Sequence, residues 1–356
     1  PAFLRQDWID ALSQTGCVGE GTGWLPQHLA LFDGGELVAA APLYVKLHSW
    51  GEYVFDWAWA EAYQRHGLRY YPKLTVGIPF TPVSGPRLLA RDDATRQALV
   101  EALLRFAKHA RVSSLHVLFP GEQESALLES NGLMIRNGVQ FHWRNDGHSD
   151  FESFLATLAQ PKRKKIRAER RKVAQAGIRV RRLLGREIGE RHWDFFAKCY
   201  ESTYAAHGST PYLNRAFFGE IGERMPEHLV MVLAERDGAP VASSLLVRDD
   251  DRLYGRYWGA LEHIPCLHFE CAYYQAIEAA IELGLAVVEG GAQGEHKMAR
   301  GFLPAPTRSA HWLAQPEFSD AVARFLAREG DLISGYIDEL SERSPFRNRQ
   351  DETAAE

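Results

Sequence analysis

Residues 289–302 read EGGAQGEHKMARGF. In that short run Glu289, Glu295 and His296 can accept a proton, while Lys297 and Arg300 can meet a developing negative charge. A proton acceptor beside a cation suits chemistry that moves a proton while negative charge develops on an oxygen. The apolar stretch before it, AVVEGG, reads as a short buried strand. The cluster therefore falls at the carboxyl end of a strand, where open α/β sheets form their ligand crevices. Glu289, Glu295, His296 and Lys297 are the candidate catalytic groups, with Gln293 and Arg300 as substrate-binding neighbours. Gly290 and Gly291 would let a ligand approach the backbone. The plainer alternative is an ordinary helix start whose polar side chains point to solvent.

A second cluster is basic. PKRKKIRAERRKVAQAG, residues 161–177, opens on a proline suited to a helix's first turn and closes on a glycine suited to its end. Pro161 to Arg182 holds eleven Lys or Arg against the single Glu169, a local charge of +10; the net charge of −5 leaves −15 for the rest of the chain. Arg163, Arg167 and Arg170 share one helical face, and forked guanidinium donors suit phosphates and carboxylates. Arg163, Lys164 and Arg167 are the candidate anion-binding residues. A solvated helix, or RNA binding through this helix alone, would give the same composition.

A third group lies in FDWAWAEAYQRHGLRYYPKLTVGIPFTP. Asp56, Tyr70 and Lys73 are polar among many aromatics, as in a site for a sugar or peptide, although aromatics at element ends also build cores. His263, Cys266, His268 and Cys271 match no standard zinc spacing, so no metal is expected.

Positioning these groups requires a particular set of elements. In the first half Asp33–Gly34–Gly35 turns a hairpin, KLTVGIPF is a strand, DDATRQALVEALLRFAKHA an amphipathic helix, SLHVLFP a buried strand, EQESALLESNG a helix and LMIRNGVQFHWRN a closing strand. In the second half GIRVRRLL precedes two helices, three strands, the helix HFECAYYQAIEAAIELG, the strand AVVEGG and the strand TRSAHWLA. The helix–strand–helix–strand ending recurs at 94–144 and 269–314. The order predicts an α/β chain with mixed sheets, built as a tandem duplication of GNAT-like acyltransferase domains. The expected division is 1–147, then 148–345 carrying the basic helix 161–176, then a polar tail at 346–356. In GNAT enzymes a glycine-rich turn holds the pyrophosphate of acyl-CoA. Here GALEHIPCLHFEC supplies proline, bulky and acidic residues instead, so coenzyme A in the usual manner, or any other cofactor, is not expected.

Composition narrows the setting. No apolar run reaches the eighteen or so residues of a membrane span. Four scattered cysteines suit a reducing compartment, and the cytoplasm is the expected location. The start at Pro1, without a signal pattern, suggests further residues upstream. No Walker loop, nucleophile elbow or dinucleotide fingerprint occurs, and no DNA-binding motif.

The blocks YYPKLTVGIPFTPVSGPRLL, PKRKKIRAERR and EGGAQGEHKMARGFLPAPTRSAHW resemble the FemAB-like N-acyltransferases of peptidoglycan biosynthesis or recognition. The resemblance spans almost the whole chain. It implies two GNAT-like domains, a muropeptide-like or other small anionic acceptor, and an aminoacyl-tRNA donor. It also implies that Arg163, Lys164 and Arg167 lie where Fem enzymes meet their nucleotide-sugar precursor. The coiled-coil arm that many Fem proteins use with tRNA is not found here. A non-catalytic module that recognises peptidoglycan or another anionic ligand is the reading from a different class.

Overall fold

The computed structural model describes residues 1–291 and 294–347. The first half runs α1 (Gln6–Gln14), β1 (Trp24–Pro26), β2 (Leu29–Asp33), β3 (Glu36–Ala41), β4 (Leu43–Lys46), α2 (Trp57–Arg65), β5 (Lys73–Val76), β6 (Leu89–Ala90), α3 (Asp93–His109), β7 (Ser114–Leu118), α4 (Glu122–Ser130) and β8 (Met134–Arg144). The second runs α5 (Phe151–Thr157), α6 (Gln160–Gln175), β9 (Ile178–Leu184), α7 (Glu190–Ala206), α8 (Arg215–Arg224), β10 (Leu229–Arg236), β11 (Ala239–Arg248), β12 (Arg252–Ala260), α9 (Leu267–Phe269), α10 (Gln275–Glu282), β13 (Val287–Glu289), β14 (Leu303–Leu313) and α11 (Pro316–Glu342). The mixed α/β, tandem GNAT-like architecture expected from the element order is present.

The sequence predicts that each half closes its own sheet. Instead one sheet of eleven strands spans both, in the order β1-β4-β5-β7-β14-β8-β13-β12-β11-β10-β9. The two halves exchange their last strands. β14 lies against β7 of the first half, with His311 opposite His116, and β8 lies against β13 of the second, with Trp143 opposite Val288. Between them β8 and β14 pair antiparallel from Leu303↔His142 to His311↔Met134. Parallel pairs β5–β7 and β12–β13 flank this centre on either side.

The cores explain why the exchange holds. Ala310 of β14 is buried with Leu74, Val76, Leu115, Val117 and the α3 residues Leu99 and Leu103. Phe141 and Trp143 of β8 are buried with Val230, Val232, Ile277 and Val288 of the other half. Returning either strand to its own half would uncover large apolar surface, at roughly 25 cal/mol per Å².

Strand alternation separates the two faces of the second half. On β10, Val230, Val232 and Ala234 pack with Ile166 and Val173 of α6 and with α10, whereas Leu229 and Met231 pack with Trp193 and Phe196 of α7. Since neighbouring side chains on a strand point oppositely, α6 and α7 lie on opposite faces of the sheet.

Two elements depart from expectation. The helix predicted over HFECAYYQAIEAAIELG is broken by a π-helical segment, Glu270–Tyr274, between α9 and α10; π-bulges often mark functional positions. The twenty-seven-residue α11, absent from the sequence reading, packs on β8, where Glu329 makes two 2.8 Å bonds with Arg136. It buries only Val322, Leu326 and Leu340.

The helix α7 sits so close to β12 that a Cβ on Gly259 would fall 1.9 Å from the carbonyl oxygen of Cys199. Gly259→Ala is expected to cost about 1–3 kcal/mol by overpacking. Urea denaturation should show this as a lower midpoint with an unchanged m-value; an unshifted midpoint would mean that α7 is not pressed against the sheet there.

Candidate functional site

On the α7 face, where the two halves meet, a cavity of about 780 Å³ opens. The exchanged strands form its floor, through Gln140 of β8 and Thr307 and Ser309 of β14. The 47–57 segment walls one side with Trp50, Tyr53 and Phe55; α7 walls the other with Tyr200 and Tyr204. Beyond Tyr254↔Glu289 the strands β12 and β13 pair no further, so β12 continues paired only with β11 and its Arg256 and Trp258 reach the cavity.

Arg256 enters because β12 bulges. Leu246 lies opposite Gly255 and Leu245 opposite Tyr257, which leaves Arg256 as the extra residue, turned out of the ladder. Its Nη2 donates to the carbonyl of Phe80 at 2.5 Å, and its Nε has no partner among the described residues. No motif announces this residue, since a bulge is visible only in the register of the paired strands. Gln140 and Ser309 escaped the sequence reading because pairing between strands distant in the chain, not a local pattern, brings them to the cavity.

Lys297 lies in the short 3₁₀ turn Glu295–Arg300 that follows β13, in place of the expected α-helix. It is buried, borders the cavity, and donates to the carbonyl of Gly291 at 3.3 Å. It has no carboxylate partner among the described residues, and burial pushes its pKa down to about 8. Glu289 sits beside the cavity residues Gly290 and Gly291. Burial raises its carboxyl to about 7 despite the 2.9 Å bond from Arg252, and its Oε2 is buried without a hydrogen-bond partner. His142 Nε2 stands 3.9 Å from that oxygen and 3.3 Å from Oε1 of the cavity residue Gln140. Burial, aided by the Arg252 charge, holds His142 down at about 4. Gly290 has a packing reason: a Cβ there would stand 3.0 Å from the Phe302 ring and 3.1 Å from the carbonyl oxygen of Phe141.

The other residues of the corner turn away from the cavity. Glu295 is exposed, accepts from Tyr336 at 2.9 Å and lies 3.8 Å from Arg343. His296 Nε2 meets Tyr273 at 3.2 Å. Arg300 points to the α6 face, where it donates twice to Glu169 at 2.9 Å and stacks 3.5 Å above the ring of Phe269. Its guanidinium is committed to a buried ion pair, which corrects its assignment to a substrate. Gln293 lies outside the described residues.

The basic helix and this corner do not share the cavity. Arg163, Lys164 and Arg167 do not line the cavity, because α6 covers the opposite face of the sheet. Arg167 pairs with Glu152 at the surface, and Arg170 binds Glu270 and Glu278 around the π segment. The repulsion within the arginine row is thus relieved largely by carboxylates of this chain.

Asp56, Tyr70 and Lys73 are brought together, but in the interior. Lys73 Nζ donates to Glu52 and Ser49 at 2.8 Å and pairs with Asp56, which also accepts from Tyr70 at 2.6 Å. Burial works to raise the Asp56 carboxyl, but the Lys73 charge holds it below the ordinary range. All three are buried and none lines the cavity, so direct substrate contact is replaced by an anchoring role for the 47–57 wall. From Tyr70 the network continues through His116 to His311, whose Nδ1 atoms are 2.6 Å apart, and then to Ser309 on the cavity floor. Among the described residues no group of three or more His, Cys, Asp or Glu could hold a metal, and no helix is long and apolar enough to cross a membrane.

With this geometry established, the chain can be set beside known proteins. The FemAB-like family profile, described as peptidoglycan biosynthesis/recognition, matches residues 1–348. The chain belongs to the FemAB-like family. Among solved structures it is similar to FemX, with 12% identity and a TM-score of 0.54 over 89% of this chain and 93% of that one. It is also similar to L-PGS from Bacillus licheniformis, with 12% identity and a TM-score of 0.55 over 91% and 95%. At such identities the likeness is one of fold. No curated protein sequence matches the chain.

Breaking the Arg300–Glu169 pair should leave a buried charge alone. Arg300→Met is expected to destabilise this FemAB-like protein by about 3–5 kcal/mol, and adding Glu169→Leu should restore much of that loss. Chemical denaturation of the single and double variants checks both expectations, and equal stabilities throughout would place Arg300 in solvent.

Proposed function

We propose that this protein transfers an acyl or aminoacyl group to the amino group of an anionic, cell-wall-type acceptor held in the cavity on the α7 face. One observation carries the reading: Lys297, a buried ammonium without a carboxylate partner among the described residues, stands at the cavity where β12 and β13 part.

Aminolysis of an ester or thioester makes one C–N bond through a tetrahedral oxyanion, then breaks the bond to the leaving oxygen or sulfur. The catalyst must hold the amine against the carbonyl, remove a proton and stabilise the negative oxygen. Lys297 is the candidate for the oxyanion, because a charge kept from water acts strongly over a short distance. Glu289, whose Oε2 is buried without a hydrogen-bond partner, is the candidate proton acceptor, with His142 between it and Gln140 on the floor. Arg256 adds a second positive charge for an anionic acceptor. The half-buried Arg163 and the exposed Lys164 and Arg167 suit a polyanionic donor, such as aminoacyl-tRNA, approaching from the opposite face.

A binding module would use the same cavity without turnover. Product analysis by mass spectrometry, with nucleotide-linked muropeptide as acceptor and aminoacyl-tRNA or acyl-thioester donors, separates the two readings. Turnover that falls about 10²–10³-fold in Lys297→Ala, with acceptor affinity little changed, is the expected result. Tight acceptor binding without product from any donor sinks the transferase.

The pH profile adds an independent check. Below about 7 Glu289 is protonated and cannot accept; above about 8 Lys297 loses the charge that stabilises the oxyanion. The rate should rise as pH approaches 7 and fall beyond 8, with Glu289→Gln losing the acidic limb. An acidic limb that persists in Glu289→Gln assigns the base elsewhere.

A further inference from the structure

The rim of the cavity is unlike its floor. Trp50 and Phe55 line the mouth yet are 58% and 60% exposed, and Trp57 beside them is partly exposed, its ring 4.8 Å from that of Trp50. On the facing helix α11, Ile333 lines the mouth and the adjoining Leu332 is 74% exposed. Arg136 ties the two sides of this collar together, donating to the carbonyl of Phe55 at 2.6 Å and to Glu329 of α11. A contiguous apolar rim of this kind marks an interaction surface, not scattered surface residues.

The collar is held out by its anchors. Lys73 grips Ser49, Glu52 and Asp56 from below, while the carbonyl of Trp50 accepts from Trp24 at 3.0 Å and from Lys46 at 3.3 Å. Three buried side chains of the 47–57 segment are thus spent on the interior, and the aromatic ones between them face water. Folding alone gives no reason for that division.

Charge decides among the occupants. Among the described residues the single acidic one on the cavity lining is Glu329, and Arg136 neutralises it. Arg256 and Lys297 have no ion pair among the described residues, so the interior of the cavity carries positive charge. Apolar at the mouth and cationic within is the order in which an anionic amphiphile would be met at a bilayer. Trp and Tyr side chains settle at the headgroup level, and cations are attracted to anionic lipid.

We propose that the collar of Trp50, Phe55, Trp57 and Leu332 docks this protein on an anionic phospholipid surface, with the cavity mouth turned to the headgroups. The assignment of the cavity to an acceptor rests on the reading above, but the docking does not depend on it.

The test is co-sedimentation of the full chain with vesicles of phosphatidylcholine containing one-third phosphatidylglycerol. Wild type is expected to partition to the vesicles, less so to phosphatidylcholine alone. Trp50→Ser, Phe55→Ser and Leu332→Ser should each weaken partitioning by about tenfold without moving the thermal midpoint. Wild type that stays in the supernatant overturns the proposal, as does partitioning that survives all three variants. Binding abolished by the α6 reversal Arg171→Glu/Lys172→Glu but untouched by the collar variants would assign it to the basic helix. A wild-type dimer dissociated by Phe55→Ser in analytical ultracentrifugation would make the collar a contact between copies, which also overturns it. Lys297→Ala removes a cavity cation, and there vesicle binding need not stay at the wild-type level. The separating variant is therefore Glu289→Gln, which keeps both cations and should sediment like wild type while losing transfer; vesicle binding without transfer by any form removes the transferase and leaves the docking, and transfer without vesicle binding does the reverse.

Discussion

The exchange of β8 and β14 is the constraint on which the rest of the structure depends. Each strand supplies core residues to the half that did not produce it, Ala310 in one direction and Phe141 and Trp143 in the other. The halves therefore cannot separate without breaking three ladders and exposing both cores. The same pair forms the floor of the cavity, so the cavity is a consequence of the joint.

The faces of the sheet divide the chemistry. The α7 face carries the cavity, its aromatic walls and the two unpaired cations; the α6 face carries the basic helix and the ion pairs of Arg170 and Arg300. Buried charge is treated differently on the two sides. Arg300 is matched to Glu169, as a structural charge must be. Lys297 is left with one long hydrogen bond to a carbonyl, and its cost is visible in the depressed pKa. An uncompensated buried ammonium next to open space is a group whose partner is expected from outside the chain.

Several features were legible from the sequence. The hairpin at Asp33–Gly34–Gly35, the helices α3 and α6 and the three strands β10–β12 follow from periodicity and turn residues, and their order identified the fold. Lys297 and Glu289 were singled out because polar groups at the carboxyl end of a buried strand have few structural reasons to be there, and both are buried at or beside the cavity. Less visible was α11, whose buried stripe is thin and whose partners lie on strands far back in the chain. Asp56, Tyr70 and Lys73 were correctly grouped as one cluster, yet their depth could not be read, because an ion pair inside a core and one in a cleft use the same residue types.

The sequence by itself determined the local elements, the repeated ending of each half and the family, since these depend on neighbours along the chain or on blocks of residues in a fixed order. Only tertiary structure decided which half each closing strand serves, which face α6 covers and which cations point into the cavity. Strand pairing and facing are settled by contacts between residues up to nearly two hundred positions apart, such as His116 with His311. A bulge that shifts register by one residue, as at Arg256, reverses the direction of a side chain without leaving any mark in the composition.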